Sequence, residues 1–261
     1  EIMHGEDAPF YRSLFKSMGY SDHELDHRPL IGIANTWNTC VPGHFNLNQV
    51  NEFVKKGIYS AGGTAVEFGT IGCCDGVAQG HIGMNYILPS REIICNSVEV
   101  MVQAHRLDGI VLLASCDKIV PGMLMAAARL DIPAIVCVGG PMLGGIEFDG
   151  RKSDLTSIDE AKGMCAAGKI AECEYKALEN TACPSCGSCS FLGTANSMCC
   201  VSEALGMSLP GSALIPAPYG ERLRSSFAAG EAIVNLVMKG ITARQVITKE
   251  SIRNAIKVTM A

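Results

Sequence analysis

Short apolar runs along the chain alternate with segments in which apolar residues recur at helical spacing. The runs predict strands at residues 30–34, 64–68, 109–114 and 133–138, with a weaker candidate at 212–215. Each run is too short for an ordinary helix, and turn-forming residues lie close to it on both sides. The pattern therefore predicts a sheet of at least four short strands.

Helical periods fill the intervals between these runs. Residues 47–58 and 93–107 each carry one apolar face, and residues 123–130, 191–205 and 222–238 also predict helices. Because strands and helices alternate, the sequence predicts the α/β class, as a three-layer α/β/α domain with a mostly parallel central sheet.

Cap signals and glycine content mark the remaining boundaries. The segment Ser157-Ile158-Asp159-Glu160 reads as a capping box that opens a helix running towards Leu178. Thr248 is a candidate N-cap for a last helix, which keeps its spacing to the final residue. Residues 139–152 are rich in glycine and predict a surface loop.

Polar loops follow three of the predicted strands. The first loop contains Cys40, the second contains Asp75, and the third contains Cys116, Asp117 and Lys118. Carboxyl ends of parallel strands lie at one edge of a sheet, and open α/β sheets bind their ligands there. We therefore expect these residues to share one site.

Composition narrows the class of protein. The chain has 13 cysteines among 261 residues and is 48% hydrophobic, which does not fit a small disulfide scaffold and favours reduced thiols in the cytoplasm, or in a stroma or matrix. The net charge of −5, with no basic stripe, argues against a nucleic-acid partner. The longest apolar runs fall well short of the ~20 residues of a membrane span, so no membrane partner is expected.

The cysteine-rich loop of residues 183–189 has more than one interpretation. Cys183, Cys186 and Cys189 follow C-x₂-C-x₂-C spacing, but the ferredoxin pattern continues with x₃-C-P, where this chain has Gly193. An electron-transfer cluster is thus disfavoured, and a structural zinc site would need a fourth ligand. Thiolates select zinc, copper or iron–sulfur clusters, whereas nearby acids select a hard cation.

Other candidate site residues also have interpretations that assign them no functional role. Of Cys73 and Cys74, at most one is expected to face the site, because neighbouring side chains of an extended chain point apart. His81 is a candidate for hydrogen bonding to a substrate, although a structural histidine is the commoner case. Asp117 and Lys118, taken alone, would also fit a solvated turn.

Five groups of motifs, in the same order along nearly the whole chain, carry a family resemblance. They are Trp37-Asn38-Thr39-Cys40 with Pro42-Gly43-His44; Cys74-Asp75-Gly76 with Gly80-His81-Ile82-Gly83-Met84; Leu88-Pro89-Ser90-Arg91-Glu92; Cys116-Asp117-Lys118 with Pro121-Gly122; and Cys183-Pro184-Ser185-Cys186-Gly187-Ser188-Cys189 with Thr194-Ala195-Asn196-Ser197-Met198. Together they resemble the dihydroxy-acid dehydratase and 6-phosphogluconate dehydratase family, and within it the dihydroxy-acid dehydratase branch.

The resemblance implies a hydro-lyase. Its small-molecule substrates would be 2,3-dihydroxy-3-methylbutanoate and the ethyl homologue, dehydrated to the 2-oxo acids that precede branched-chain amino acids. Two alternative functions are a sugar-acid (aldonate or 6-phosphogluconate) dehydratase, and a non-catalytic metal-binding or redox-sensing domain.

The resemblance also implies a set of ligands and catalytic residues. Cys40, Cys116 and Cys189 would hold an iron–sulfur cluster that leaves one iron without a protein ligand, and Cys186 would not ligate. A [2Fe–2S] cluster is favoured by Cys40, and a [4Fe–4S] cluster is the alternative. Asp75, Asp117 and Lys118 as a carbamate would bind Mg²⁺, and Lys118 and His81 are the catalytic candidates.

Family members carry a second domain that supplies a glutamate ligand of Mg²⁺ and a serine that abstracts the C2 proton. Residues 1–261 are therefore expected to be the N-terminal iron–sulfur and Mg²⁺-binding domain, inactive without the C-terminal domain. The full-length enzyme is expected to form a homodimer or a higher homo-oligomer.

Overall fold

A computed structural model describes residues 2–261 and contains a four-stranded, fully parallel sheet. The strands are β1 (Leu30–Asn35), β2 (Thr64–Gly69), β3 (Gly109–Ala114) and β4 (Ala134–Val138), and their spatial order is β2-β1-β3-β4. The four stronger strand predictions are confirmed. The candidate at 212–215 is wrong, because these residues form turns.

Helices account for most of the remaining described residues. They are α1 (Ala8–Ser17), α2 (Asp22–His27), α3 (Leu47–Ser60), α4 (Asp75–Ala78), α5 (Ile87–His105), α6 (Ile119–Leu130), α7 (Leu155–Ala166), α8 (Glu172–Thr181), α9 (Thr194–Ala204), α10 (Gly220–Lys239), α11 (Ala243–Val246) and α12 (Lys249–Met260). Short 3-10 turns lie at Pro42–His44 and Ile82–Tyr86, and two short strands, β5 (Glu147–Phe148) and β6 (Arg151–Lys152), form an antiparallel hairpin.

Two apolar cores cover the two faces of the sheet. Along β3, Ile110 and Leu112 join the core that includes residues of α5, α6 and α9, while Val111 and Leu113 join the core that includes residues of α3 and α10. Successive side chains of a strand point to opposite faces, so a strand covered on both sides is apolar throughout. The predicted three-layer α/β/α fold is confirmed.

Two boundary predictions need correction. The helix expected from Ser157 to Leu178 is two helices, α7 and α8, separated near Gly168, whose φ of +68° lies in the left-handed region. The N-cap of α7 is Asp154, whose side chain accepts from the amides of Thr156 and Ser157. Ser157 is therefore the last residue of the capping box, at position N3, and not its first.

The glycine-rich segment 139–152 is not a surface loop throughout. Residues 139–142 are buried, and only the part around the β5–β6 hairpin is largely exposed. The backbone of this segment lies close to the cysteine-rich segment, since Ser188 N donates to the Gly140 carbonyl at 3.0 Å and a Cβ atom at Gly187 would lie 2.3 Å from Met142 N. The segment thus extends β4 into a wall of the candidate site.

Among residues 2–261, no helix combines the length and the apolar character that crossing a membrane would require.

Candidate metal centre

The loops that leave β1, β2 and β3 meet at the carboxyl edge of the sheet. The strand order reverses direction at β1, so the crevice between the ends of β1 and β3 is a topological switch point, where α/β sheets bind ligands. Asn38 Nδ2 donates to the Gly72 carbonyl at 3.3 Å, and Thr36 Oγ1 donates to the Leu113 carbonyl at 2.8 Å. Side chains of the β1 loop therefore tie this loop to the loop after β2 and to the end of β3.

Two carboxylates and one lysine form the polar half of the site. Asp75 is the first residue of α4, and Lys118 directly precedes α6. The Lys118 Nζ atom lies 2.6 Å from Asp75 Oδ2 and 3.9 Å from Asp117 Oδ2, and all three side chains are at most 25% exposed. The predicted proximity of Asp75, Asp117 and Lys118 is thus present in the fold.

The charges in this half of the site are incompletely compensated. Burial and the negative charge of Asp75 raise the pKa of Asp117, and Lys118 and a hydrogen bond from Thr194 offset this only in part. The Asp75 Oδ1 atom is buried and has no hydrogen-bond partner within the described residues. A buried, unsatisfied carboxylate oxygen is a position at which a hard cation could bind.

Four thiols line an adjoining cavity of about 310 Å³. They belong to Cys74, Cys116, Cys183 and Cys189, and most of the remaining wall is apolar or glycine backbone. Cys116 is only 6% exposed and packs over Gly43, where a Cβ atom would lie 2.6 Å from the Cys116 Sγ atom. The thiols come from three different loops, so the tertiary fold assembles them.

The deeper thiols are held in the protonated form. Burial, followed by the nearby Cys74 thiol, raises the pKa of Cys116 well above its ordinary value. Burial, followed by the charge of Asp117, raises the pKa of Cys189 to about 11. A metal must displace these protons to bind, because a coordinated thiol is a thiolate.

Cys189 connects the two halves of the site. A second cavity, of about 230 Å³, is lined by Asp75, Asp117 and the first residues of α9, and Cys189 lines this cavity as well as the thiol cavity. Gly76 and Leu155 are also common to both walls. A group held by the thiols would therefore lie beside a cation held by the carboxylates.

A larger cavity, of about 410 Å³, lies away from this edge, against α9 and α12. Its one carboxylate, Glu203, already accepts hydrogen bonds from the backbone amides of Gly211 and Ala213 at 2.6 and 2.9 Å. Both carboxylate oxygens of Glu203 therefore already have hydrogen-bond partners. The thiol cavity and the carboxylate cavity together are the better candidate site.

The donor set fits a cluster better than a single ion. Within residues 2–261, no three His, Cys, Asp or Glu side chains are close enough together to bind one metal ion. The thiols instead line a cavity with room for a group of several atoms, and iron–sulfur clusters are held by cysteine thiolates in this way. Among the described residues that line the carboxylate cavity, Asp75 and Asp117 are the two carboxylates, so a hard cation would need further oxygen ligands.

Three residues weighed in the sequence lie apart from these walls. Cys40 is exposed and lines neither cavity, and its backbone amide donates to Asn38 Oδ1 at 2.9 Å. His81 is exposed, with Nε2 2.8 Å from the Val77 carbonyl and Nδ1 accepting from Gly83 N at 3.0 Å. Cys186 also lies outside both walls. The roles of Cys40 and His81 stay predictions.

Two further cysteines face the site. Cys74, and not Cys73, lines the thiol cavity, in accord with the expectation that at most one of them would face the site. Cys183 lines it too, although the resemblance gives no role to either residue. Residue spacing predicts these two positions only weakly, because the direction of a side chain depends on the backbone torsions and not on the spacing of residues along the chain.

The sequence comparisons agree with this geometry. The family profile described as "Dihydroxy-acid/6-phosphogluconate dehydratase N-terminal" matches residues 28–261. The chain belongs to this dehydratase family. The match includes every loop of the site, so the family covers both the thiols and the carboxylates.

Relatives within the family are similar over nearly the whole chain. Proteins named dihydroxy-acid dehydratase from Caldanaerobacter subterraneus and Pyrococcus furiosus are 57% and 54% identical over 256 residues, which is 98% of this chain and 46% of each relative. One from Clostridium pasteurianum is 55% identical over 98% of this chain and 88% of its own length. The chain thus spans about half the length of the first and second of these relatives.

Proposed function

We propose that this chain is the metal-binding N-terminal domain, residues 1–261, of a dihydroxy-acid dehydratase. Its substrates would be 2,3-dihydroxy-3-methylbutanoate and the ethyl homologue, and its products the 2-oxo acids used to make branched-chain amino acids. The observation that carries the proposal is Cys189, which lines both the thiol cavity and the carboxylate cavity. A dehydratase needs that adjacency, since one group must act on the leaving hydroxyl while another holds the rest of the substrate.

The sulfur half would hold a [2Fe–2S] cluster, with a [4Fe–4S] cluster as the alternative. Cys116 and Cys189 are the ligands supported both by the cavity and by the resemblance. The third ligand is Cys40 by resemblance, whereas the cavity favours Cys74. Cys40 lies outside the thiol cavity, where its backbone amide donates to Asn38 Oδ1, so variants at both positions are needed to decide between them.

The carboxylate half would hold Mg²⁺ through Asp75, Asp117 and a carbamate on Lys118. A lysine cation 2.6 Å from Asp75 occupies the place where a dication would bind. When its neutral amine combines with CO₂, a proton is released and an anionic oxygen ligand is formed. This supplies the third oxygen that the two carboxylates lack.

When bound, the cluster supplies a Lewis acid for the departing hydroxyl, and Mg²⁺ orients the substrate's carboxylate and 2-hydroxyl. The chain's own residues would prepare the site for this chemistry. Asp117 and Asp75 would fix the position of the cation beside Cys189, and the apolar residues that line the thiol cavity would limit the access of water. The remainder of the protein would supply the base that removes the C2 proton.

Iron and sulfide analysis of anaerobically purified protein tests the cluster. We expect Cys116→Ser and Cys189→Ser to abolish iron binding and Cys186→Ser to leave it unchanged. Comparing Cys40→Ser with Cys74→Ser then identifies the third ligand. Retention of full iron content by Cys189→Ser would refute the assignment.

Turnover tests the substrate. The complete protein should dehydrate 2,3-dihydroxy-3-methylbutanoate faster than an aldonate or 6-phosphogluconate. A reversed preference would identify a sugar-acid dehydratase, and iron binding without turnover of any of these acids would identify a non-catalytic metal-binding or redox-sensing domain.

A further inference from the structure

A buried amide side chain lies behind the loop that presents Cys189. Asn196 is the third residue of α9 and is only 3% exposed. Its Nδ2 atom donates to the carbonyl oxygens of Cys189 at 2.6 Å and Phe191 at 2.8 Å. Its Oδ1 atom accepts from Ser188 Oγ at 2.7 Å. One side chain thus binds three residues of the loop.

The chemistry of these contacts requires an amide. Both N–H groups of Asn196 point at carbonyl oxygens, which only accept, while its oxygen meets a hydroxyl that can donate. Reversing the amide would place its oxygen against two carbonyl oxygens, so the orientation is fixed by its partners. An aspartate of the same size would lack both donors and would repel the same two oxygens.

The opposite side of the loop is fixed by backbone contacts. Ser188 N donates to the Gly140 carbonyl at 3.0 Å, and Met142 N donates to the Ser188 carbonyl at 2.8 Å. Gly187 has φ +133°, and a Cβ atom there would lie 2.3 Å from Met142 N, so only glycine allows this approach. These contacts hold the backbone up to Ser188, and Asn196 then holds the turn that contains Cys189.

We propose that Asn196 is a positioning residue for Cys189, which fixes the direction in which this thiol faces the two cavities. The consequence for metal binding rests on the proposed function, because it requires an iron–sulfur cluster. The role of Asn196 in placing the thiol of the metal-free protein is independent of that cluster. Hydrogen-bonding partners that orient a metal ligand commonly change metal affinity by about 10- to 100-fold when they are replaced.

Asn196→Asp in the complete polypeptide tests the metal-binding consequence. We expect the affinity for the cluster, measured as retention of iron and sulfide against a chelator, to fall by about 10- to 100-fold. Ser188→Ala removes one of the three contacts of Asn196, together with the longer bond of 3.4 Å from Ser188 Oγ to the Gly140 carbonyl, and should cause a smaller loss. Ser202→Ala is the control, because Ser202 is buried on the same helix but its hydroxyl pairs with Ser208 and not with the loop. Equal retention by Asn196→Asp and the native protein would overturn the inference for the cluster.

Alkylation of the metal-free protein separates positioning from general structural support. The rate at which Cys189 reacts with iodoacetamide, relative to Cys116, should rise in Asn196→Asp and stay constant in Ser202→Ala, as followed by peptide mass spectrometry. Loss of general support would expose both thiols together and leave the ratio constant, which would overturn the inference. If Asn196→Asp does not fold, the same ratio in Ser188→Ala decides. If the native protein binds no iron, the proposed function fails, but this ratio still decides the role of Asn196.

Discussion

The thiol cavity and the carboxylate cavity meet at Cys189, but different forces hold them together. Around Cys116 and Cys189, close backbone packing and burial keep neutral thiols in place. Around Asp75 and Asp117, two carboxylates share one lysine cation, and burial raises the pKa of Asp117. The sulfur half therefore depends on shape, and the carboxylate half depends on charge balance. The two halves should respond differently to changes in charge, in volume and in pH.

The largest expected effect comes from Lys118→Arg, which changes the carboxylate half alone. Arginine keeps the positive charge but cannot form a carbamate, so we expect bound Mg²⁺ and dehydratase activity in the complete protein to fall to background. Metal analysis and turnover measure this effect. Lys55→Arg is a matched control, since Lys55 also pairs with two carboxylates, Glu52 at 2.9 Å and Glu67 at 2.8 Å. Full turnover by Lys118→Arg would show that the lysine is only a counter-charge.

Acid should act on the sulfur half through His44, which lies next to Gly43 and is completely buried. Burial lowers the pKa of His44 from 6.5 to about 4, so the unfolded chain binds this proton more readily than the folded chain does. The resulting stability is complete above pH 6.5 and is lost as the pH falls through about 4. The free energy of unfolding should fall by about 3 kcal/mol across this window.

Denaturant unfolding of the metal-free protein at several pH values measures the His44 effect. His44→Gln should remove this part of the pH dependence. His105→Gln is the control, because His105 is exposed and its Nδ1 atom lies 2.8 Å from the Met101 carbonyl, just as Nδ1 of His44 lies 2.8 Å from the Thr36 carbonyl. A pH profile that is the same in native protein and His44→Gln would contradict the prediction.

Added side-chain volume should matter most in the sulfur half, which close packing holds together. Gly43→Ala would place a methyl group 2.6 Å from Cys116 Sγ. We expect a destabilisation of about 1–3 kcal/mol, as in other overpacked cores, together with reduced iron retention. Gly163→Ala is the matched comparison, since a Cβ atom in this α7 position meets nothing within 4 Å. That change should stabilise the protein by about 0.5–1 kcal/mol. Similar results for the two variants would show that Cys116 is not tightly packed.

The smallest expected effect comes from Asp117, which changes the charge balance of the carboxylate half. Its contribution to stability depends on pH with the opposite sign to that of His44. Because the pKa of Asp117 is raised, its contribution to stability is complete below 3.8 and is lost as the pH rises through its folded-state value. Asp117→Asn should therefore raise the melting temperature at neutral pH in EDTA, by an amount equivalent to less than about 1 kcal/mol. Asp159→Asn, at an exposed position of α7, should not. A lower melting temperature for Asp117→Asn would mean that Lys118 fully compensates the carboxylate.

The sequence allowed much of the carboxylate half to be predicted. Apolar runs locate β1, β2 and β3, and parallel strands bring the loops that follow them to one edge of the sheet. Asp75 lies in the segment that follows β2, and Asp117 and Lys118 lie in the loop that follows β3, so alternation of strands and helices was enough to place them together. Their spacing to the strand ends is local information, which a sequence carries.

The sulfur half was decided by tertiary contacts. Cys189 lies in a loop that no strand precedes, and its place depends on Gly140, Pro42 and Asn196, which are distant in sequence or carry no periodic signal. Which of Cys40 and Cys74 faces the cavity depends on backbone torsions and on hydrogen bonds such as that from Cys40 N to Asn38. Spacing alone determines the edge at which a side chain lies. Its direction is determined by the packing around it, because several directions satisfy the same local pattern and only one avoids the neighbouring backbone.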